Sequence, residues 1–388
     1  MQNQKLLFGV DQFLQHPDNF HKLRFALVTN DSATTSDGIL SRTALLRKRI
    51  NIIRLFTPEH GLKAEGEDGV AQDNIIDSVT GIPVISLYGY RLKPSKKDLD
   101  DVDAVLFDVP DAGCRFYSYL WTMTYVMEAC ADHHKPLMIL DRPNPLGGDF
   151  NLTEGPLLDE SHCTSFIGRW AIPVRHCCTL GELASYFAAT RMKDLELKII
   201  KMQNWKGRPS ISEVGWHFIP PSPAIRDSQT ALLYPGIGML EGINVNEGRG
   251  TKFPFRIFGA PWIHAAQLHE TFETLQLPGI TSRPYSYKPA SGMYAEEWCN
   301  GLHFEVVDVF AFRPVKTGLK LIELLLVLYQ QYCRERLYKT TANPTGEKHL
   351  DKLTGLYQSF ETLKKRPSAD PKPIASTWRE TMLPYVLY

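Results

Sequence analysis

Five short apolar runs recur between residues 20 and 150 of the chain, and segments with the period of an amphipathic helix separate them. The runs are apolar along their whole length rather than at alternate residues, and they span 25–29, 50–56, 84–88, 104–108 and 137–141. Strands with this composition are buried on both faces, and helical crossovers between such strands make them parallel. Segments 41–48 and 119–133 have the helical period. This half is therefore predicted to be a Rossmann-like α/β domain with a parallel sheet.

The residue pattern of the sequence changes in its second half. The change follows the stiff, helix-incompatible stretch Pro220-Pro221-Ser222-Pro223. An alternating run at 304–312 predicts a half-buried strand, and segments 316–332 and 350–363 have the helical period. We therefore predict a Rossmann-like N-terminal domain followed by a smaller α+β domain. Their predicted bounds are residues 1–225 and 226–388.

Composition restricts the class of partner. Lys+Arg and Asp+Glu both number 43, so no basic excess favours nucleic acid or an anionic membrane surface. The longest apolar segment, 319–332, contains charges and is too short for a membrane span. The N-terminus has no signal-peptide pattern, and the seven cysteines have no CxxC spacing. We predict a small-molecule partner, no nucleic acid and no membrane. The expected location is cytoplasmic, or periplasmic or secreted if a leader has been removed.

Polar side chains end or follow three of the predicted strands. Glu59 and His60 follow the second strand, Asp108 ends the fourth with Asp111 and Arg115 after it, and Asp141 ends the fifth with Arg142 and Asn144 after it. Open α/β sheets bind ligands at the carboxyl ends of their strands, so we expect these side chains to lie close together. Each acid alone is also consistent with a helix cap or a turn. In the second half, glycines flank Arg249, next to Glu247, and let the backbone approach a ligand closely.

Motifs for several other chemistries are missing from the sequence. It contains no GxGxxG after the first strand, no GxxxxGK[ST], no HExxH and no GxSxG, and its histidines have no convincing metal-ligand spacing. We therefore predict neither a metal nor a cofactor. The remaining carboxylates, arginines and aromatic residues suit cleavage of a glycosidic bond. In that reaction one carboxylic acid protonates the leaving oxygen, and another group stabilises an oxocarbenium-like centre.

Several longer motifs resemble those of the YbbC/NamZ-type family, which comprises exo-acting β-N-acetylmuramidases of bacterial peptidoglycan recycling. In chain order, the motifs are Pro58-Glu59-His60-Gly61, Ser86-Leu87-Tyr88-Gly89, Asp111-Ala112-Gly113-Cys114-Arg115-Phe116-Tyr117, Leu140-Asp141-Arg142-Pro143-Asn144-Pro145, Glu154-Gly155-Pro156, Glu247-Gly248-Arg249-Gly250-Thr251 and Gly259-Ala260-Pro261-Trp262. The resemblance implies a Rossmann-like N-terminal domain, a smaller C-terminal domain and an active site in the cleft between them. It also implies a glycosidase that releases N-acetylmuramic acid from the non-reducing end of peptidoglycan fragments.

The resemblance makes Glu59 the leading catalytic residue, with His60 beside it. A carboxyl flanked by Phe56 and Pro58 and covered by a second domain would be desolvated, which suits a general acid. The second catalytic group stays open between the 2-acetamido oxygen of the substrate and one of three carboxylates. These carboxylates are Asp111, Asp141 and Glu247. Arg115 or Arg249 would bind the lactyl carboxylate in a bidentate manner. The expected substrate-binding residues are Arg115, Tyr117, Arg142, Asn144, Arg249 and Tyr88.

Two positions depart from the family pattern, and each replacement removes a side-chain amide. Pro110 stands where a glutamine is usual, and Ala224 stands where we expect asparagine. Two other functions therefore stay open beside the glycosidase. The first is a non-catalytic protein that binds muropeptides or sugars on the same scaffold. The second is a phosphate-ester hydrolase that uses the aspartate cluster and a metal ion.

Overall fold

The first half of the chain forms a seven-stranded sheet. The structure, a computed structural model, describes residues 5–209, 211, 216–365 and 374–388. The strands are β1 (Arg24–Thr29), β2 (Asn51–Thr57), β3 (Ile75–Ile76), β4 (Pro83–Ser86), β5 (Ala104–Asp108), β6 (Leu137–Leu140) and β7 (Leu197–Ile200). They lie in the order β3-β4-β2-β1-β5-β6-β7, and only β3 pairs antiparallel with its neighbour. The predicted Rossmann-like parallel sheet is thereby confirmed.

Helices connect the parallel strands and bury the sheet. They are α1 (Gly9–Phe13), α2 (Ser41–Arg47), α3 (Lys96–Leu99), α4 (Ser118–Asp132) and α5 (Leu180–Arg191), with 3-10 turns at Pro17–Phe20 and Phe150–Leu152. A capping box starts α5, because Thr179 Oγ1 accepts a hydrogen bond from the Glu182 backbone and Glu182 Oε2 accepts one from the Thr179 backbone. The strand order reverses between β1 and β5, and the carboxyl ends of these strands flank the crevice where open α/β sheets bind ligands.

The second half contains a smaller antiparallel sheet with helices. Its strands are β8 (Ile257–Ala260), β9 (Ile280–Tyr287) and β10 (Cys299–Val306), and β10 lies in the middle. Its helices are α6 (Ser228–Ile237), α7 (Ala265–Glu273), α8 (Pro314–Leu328), α9 (His349–Thr354), α10 (Ser359–Lys365) and α11 (Ala375–Met382), with 3-10 turns at Gly238–Gly242 and Leu383–Tyr385. The predicted smaller α+β part is confirmed. Among the described residues, no helix is long and apolar enough to cross a membrane.

Two predicted elements of the second half differ from the observed ones. The helix predicted at 350–363 is two helices, α9 and α10, because Gly355 adopts a φ of 78° and ends α9 in the left-handed region. The strand predicted at 304–312 ends at Val306. After it, the Asp308 carboxylate accepts hydrogen bonds from the backbone of residues 310 and 311 and forms a turn.

The last residues of the chain return to the first half. The Trp378 indole donates to the His176 carbonyl at 2.8 Å, and the Tyr388 hydroxyl donates to Asp141 Oδ2 at 2.8 Å. The backbone of Leu387 donates to Glu182 Oε1 at 3.0 Å. The C-terminal segment therefore holds the start of α5, so the two halves contact each other at more than one place.

Candidate active site

A cavity lies beyond the carboxyl end of β2, and both halves of the chain line it; its empty space, together with the solvent at its mouth, is about 520 Å³. Polar side chains make up much of its wall. The first half contributes Glu59, His60, Asp68, Tyr117, Ser118 and Ser222, and the second half contributes Tyr234, Glu241, Arg249, Tyr338, Thr340 and His349. Ala224, one of the two departures from the family pattern, also lines it. We call this space the Glu59 cavity.

Glu59 follows β2 by two residues and is fixed by two separate elements. Its side chain is buried, and the residue is 8% exposed. Oε1 accepts a hydrogen bond from the Gly69 backbone at 2.8 Å, and Oε2 accepts one from Ser118 Oγ at 2.5 Å. Ser118 is the first residue of α4, so the carboxylate also lies at the positive end of that helix. Its position is thus defined by the fold rather than by a free loop.

His60 adopts a φ of 68°, in the left-handed region, which turns its ring back over its own loop. Nδ1 lies 2.8 Å from the Gly66 carbonyl oxygen. Because a carbonyl only accepts hydrogen bonds, Nδ1 carries the hydrogen, and in the neutral ring Nε2 is an acceptor. Nε2 lies 3.6 Å from Asp68 Oδ1, and the ring packs edge-on against Tyr119 at 6.2 Å. The ring orientation is therefore set by two neighbours.

Arg249 is the centre of a charged network in the wall of the cavity. Glu241 Oε1 accepts hydrogen bonds from its Nη2 at 2.7 Å and its Nε at 3.1 Å, and Asp68 Oδ2 pairs with its Nη1. Glu247 Oε1 lies 3.2 Å from the same Nε, and Glu247 Oε2 accepts from Arg336 at 3.2 Å. Three carboxylates thus share two guanidinium groups.

The pKa values of the two glutamates beside Arg249 shift in opposite directions. Burial raises the pKa of Glu241, but the charges of Arg249 and His349 outweigh it, so the net effect is a lowered pKa. Burial raises the pKa of Glu247, and the attraction of Arg336 and Arg249 does not cancel this effect. Burial also lowers the pKa of His349, which stacks on Tyr338 with 4.4 Å between ring centroids. Glu241 is therefore the better fixed anion of the pair.

Comparison with known proteins finds a family match in each half of the chain. Residues 25–229 match the family model of the N-terminal part of the exo-β-N-acetylmuramidase NamZ, and residues 232–386 match that of its C-terminal part. The chain belongs to the NamZ family. A relative, the peptidoglycan β-N-acetylmuramidase NamZ of Bacillus subtilis (strain 168), is 39% identical over 332 residues, which cover 84% of this chain and 79% of that protein. The family predicted from the motifs is confirmed.

Two solved structures have the same fold as this NamZ family member. Both are crystal structures of DUF1343 family proteins from Bacteroides fragilis NCTC 9343. One superposes with a TM-score of 0.85 at 28% identity, and the other with a TM-score of 0.73 at 25% identity. Each comparison covers 99% of both chains. The similarity therefore extends over both halves and includes both walls of the Glu59 cavity.

In this NamZ family member, four of the predicted site residues line the Glu59 cavity. They are Glu59, His60, Tyr117 and Arg249. Glu247 lies behind Arg249 and is 1% exposed. Tyr88 is buried near the cavity, where burial and the charge of Glu59 raise its pKa. Its ring packs against Phe166, which lines the cavity, at 5.7 Å.

Asp141 lies away from the Glu59 cavity and is fully buried. Its carboxylate accepts hydrogen bonds from Thr179 Oγ1 at 2.7 Å, the Gly181 backbone at 2.8 Å and the Tyr388 hydroxyl at 2.8 Å. Burial raises its pKa, and these donors oppose the shift. The three donors come from the start of α5 and from the C-terminus. Asp141 therefore joins these segments and does not face the Glu59 cavity.

Arg115 is also buried away from the cavity, at 0% exposure. Its guanidinium donates to the carbonyls of Pro156, Ile172 and Leu353 at 2.7, 2.9 and 3.0 Å. Burial lowers its pKa to about 10. Because the guanidinium joins three backbone segments, we assign the lactyl carboxylate to Arg249 instead.

Asn144 and Arg142 also make hydrogen bonds within the fold. Asn144 accepts from the Leu146 backbone at 2.8 Å and donates to the Cys178 carbonyl at 2.9 Å, which fixes the loop after β6. Arg142 donates from Nε to Asp108 Oδ1 at 2.5 Å. Arg142 and the predicted Asp111 line a second cavity and not the first. The strand-end residues thus divide between two cavities and the protein interior.

Sequence reasoning missed five residues that matter to the Glu59 cavity. They are Ser118, Asp68, Glu241, Tyr338 and His349. Asp68 had a detectable signal, because it follows Glu59 by nine residues in a loop with glycines at 66 and 69. Ser118 stands at the start of a predicted helix, where capping is the usual explanation. Tyr338 and His349 had no local signal, because long-range packing of the second half brings them to the cavity.

Proposed function

We propose that the chain is an exo-acting β-N-acetylmuramidase that releases N-acetylmuramic acid from the non-reducing end of peptidoglycan fragments during cell-wall turnover. Membership of the NamZ family confirms the predicted glycosidase class. One observation carries the proposal. The glutamate of the family motif, Glu59, is buried in a cavity between the two halves, and two hydrogen bonds fix both of its oxygens.

Glu59 acts as the general acid in this proposal. The Gly69 N–H holds Oε1 as an acceptor. Oε2 accepts from Ser118 Oγ with one lone pair, and we place the transferable proton on its other lone pair. Ser118 Oγ lies 2.5 Å from Oε2 and orients it. The proton passes from Oε2 to the glycosidic oxygen as the bond to the anomeric carbon breaks, and the bonding electron pair leaves with that oxygen. Glu59 remains as a carboxylate that activates the incoming water.

Asp68 is our candidate for the second group. Of the carboxylates that the structure describes around the Glu59 cavity, only Asp68 and Glu241 line it together with Glu59. Two hydrogen bonds fix Glu241 against Arg249, and its side chain is 7% exposed, whereas that of Asp68 is 31% exposed. We propose that Asp68 orients the 2-acetamido group or the attacking water, a role that the sequence had assigned to Asp111, Asp141 or Glu247.

Arg249 binds the lactyl carboxylate in this proposal. It is the one arginine that lines the Glu59 cavity within the described ranges. Its carboxylate partners already occupy Nε, Nη1 and Nη2. Asp68 is the most exposed of these partners, so it is the group that an incoming lactyl carboxylate displaces from Nη1. In this proposal the displaced Asp68 lies between His60 and the substrate, from where it orients the 2-acetamido group or the attacking water.

A pair of chromogenic substrates tests the proposal. We expect hydrolysis of the β-N-acetylmuramide and slower hydrolysis of the matched β-N-acetylglucosaminide, which lacks the lactyl group. A charge-assisted hydrogen bond is worth about 1.5–3 kcal/mol, so the ratio of kcat/KM values should be roughly 10–100. Muropeptide binding with no sugar released would instead support the non-catalytic binding protein. Equal rates on both substrates would remove Arg249 from substrate recognition.

A further inference from the structure

A second cavity lies next to the carboxyl ends of β5 and β6, near the point where the strand order reverses, and its empty space together with the solvent at its mouth is about 380 Å³. This is where open α/β sheets bind ligands. Its lining combines aromatic, proline and charged side chains. The residues that matter here are Phe8, Thr34, Asp111, Arg142, Trp216 and Phe218. Glu59 does not line it, and the general-acid mechanism above makes no use of it.

Asp111 brings an unsatisfied acceptor to this cavity. The residue is 7% exposed, and its Oδ2 accepts from the Gly113 backbone at 2.9 Å and lies 3.6 Å from His176 Nε2. Its Oδ1 is buried without a hydrogen-bond partner in the part of the chain that the structure describes, and so is Oγ1 of Thr34. Unsatisfied buried oxygens cost free energy. A ligand that donates hydrogen bonds at this place would recover it.

The charges around the second cavity argue against an anionic ligand. Arg142 is the cation of its lining, but its Nε pairs with Asp108 Oδ1 at 2.5 Å. Its Nη2 donates to the Thr34 carbonyl at 2.7 Å and to Ser41 Oγ at 3.1 Å. The Arg142–Asp108 pair is therefore neutral, and Asp111 adds a negative charge. A neutral ligand that donates hydrogen bonds fits this balance better than a carboxylate or a peptide with acidic side chains.

The apolar side chains in the wall of the second cavity favour a ligand that contains a ring. Trp216 and Phe218 are half-buried, Phe8 is buried, and all three line the cavity with two prolines of the loop after β6. Aromatic faces present a broad apolar surface at a small cost in conformational entropy. A pyranose has an apolar C–H face that packs on such rings, and its hydroxyls donate to a carboxylate.

The second cavity is adjacent to the Glu59 cavity. Ile219 lines the second and Ser222 lines the first, and three residues of extended chain span at most about 11 Å. Ser32 of the second cavity donates to the Pro220 carbonyl at 2.6 Å. Tyr119, whose ring contacts His60, donates to the Pro221 carbonyl at 2.8 Å. The stretch 216–224, which contains the predicted domain boundary at 220–223, therefore lines both cavities.

We propose that the second cavity is a subsite for a neutral pyranose, namely the sugar that follows N-acetylmuramic acid in the substrate. The inference rests on the proposed function, because that function places the N-acetylmuramic acid ring in the Glu59 cavity. In peptidoglycan the next sugar is N-acetylglucosamine, which is neutral and rich in hydroxyl groups. Asp111 accepts from its hydroxyls and Trp216 packs on its ring. The stretch 216–224 then lies beside the bond that is cleaved.

Direct binding of free N-acetylglucosamine tests the subsite without any turnover. We expect saturable shifts in the NMR spectrum of the wild-type protein, and roughly tenfold weaker binding by Trp216→Ala and by Asp111→Asn, since an aromatic contact or a charge-assisted hydrogen bond is lost. Trp298→Ala is the matched control, because Trp298 is 66% exposed and lines neither cavity. No saturable binding, or equal binding by all variants, would overturn the subsite. Saturable NMR shifts on addition of a stem peptide, but not on addition of N-acetylglucosamine, would also overturn the subsite.

A kinetic comparison separates this inference from the proposed function. For the wild type and both variants, kcat/KM is measured on the disaccharide N-acetylmuramyl-N-acetylglucosamine and on the chromogenic β-N-acetylmuramide. We expect the disaccharide-to-chromogenic ratio to fall roughly tenfold in Trp216→Ala and Asp111→Asn. An unchanged ratio would overturn the subsite while leaving the proposed function intact. If the wild-type protein binds the sugar but hydrolyses neither substrate, the proposed function is contradicted, and the second cavity still stands as a sugar-binding site.

Discussion

Glu59 and Asp141 are both carboxylates that follow parallel strands of the same sheet, and their surroundings differ. Asp141 is fully buried and accepts from three donors on α5 and the C-terminal segment. Glu59 accepts from two donors and faces a cavity lined by both halves. A position at a strand end therefore does not by itself identify a catalytic acid. What distinguishes the two is whether neighbouring donors hold the carboxylate inside the fold or present it to a cavity.

The largest expected effect separates the two carboxylates by activity. Glu59→Gln should lower kcat/KM on the disaccharide by about 10²–10⁴-fold, the usual contribution of a general acid. The glutamine still offers a carbonyl oxygen to the Gly69 N–H, so we expect a melting temperature close to that of the wild type. Steady-state kinetics and a thermal melt measure both quantities. Rapid turnover by this variant would remove Glu59 from the mechanism.

The second-largest expected effect is a loss of stability when the charged network around Arg249, in the wall of the Glu59 cavity, is broken. Arg249→Met leaves Glu241 and Glu247 buried without their shared guanidinium, which should cost about 3–5 kcal/mol in the free energy of unfolding. Arg336→Met is the matched control, because Arg336 contacts Glu247 and not Glu241, and it should cost less. Urea denaturation measures both. A loss below about 1 kcal/mol for Arg249→Met would show that water or local rearrangement compensates the buried charges.

The pH dependence of stability probes the interior around Asp141. Burial raises the pKa of Glu182 to about 7, above the value of about 4.3 in an unfolded chain. The folded state then binds the proton more tightly, so this contribution to stability is complete below about pH 4 and is lost as the pH rises through 7. Denaturation curves between pH 5 and 8 should slope downward by up to about 1.4 kcal/mol per pH unit from this group. Glu182→Gln should flatten the slope, and an unchanged slope would assign it to other groups.

Asp141→Asn should act on stability and not on chemistry. The amide nitrogen of asparagine faces a donor where the carboxylate accepted one, so we expect a loss of about 1–3 kcal/mol in the free energy of unfolding. Tyr388→Phe removes one of the same donors and should cost about 1 kcal/mol. The folded Asp141→Asn protein should keep its kcat. A normal unfolding curve with lost turnover would return Asp141 to the catalytic candidates.

The fold was largely predictable because its strands are apolar along their whole length. Strand β5 was predicted with its observed bounds, and β1 and β6 to within one residue. The helix predicted at 350–363 was wrong because the positive φ of Gly355 is a property of the packed chain against Arg115, not of the local period. Site residues were harder to predict. Motifs pointed to Glu59, His60 and Arg249, but only tertiary structure separates Asp68 and Glu241 in the cavity wall from Asp141 in the interior.

The dependence of hydrolysis on the leaving group tests the role of Glu59 most directly. An activated dinitrophenyl β-N-acetylmuramide needs no proton on its leaving oxygen, whereas the disaccharide does. The measurement is kcat/KM of the wild type and of Glu59→Gln on both substrates. If Glu59 is the general acid, the variant loses about 10²–10⁴-fold on the disaccharide and far less on the activated glycoside. Equal losses on the two substrates would contradict that role.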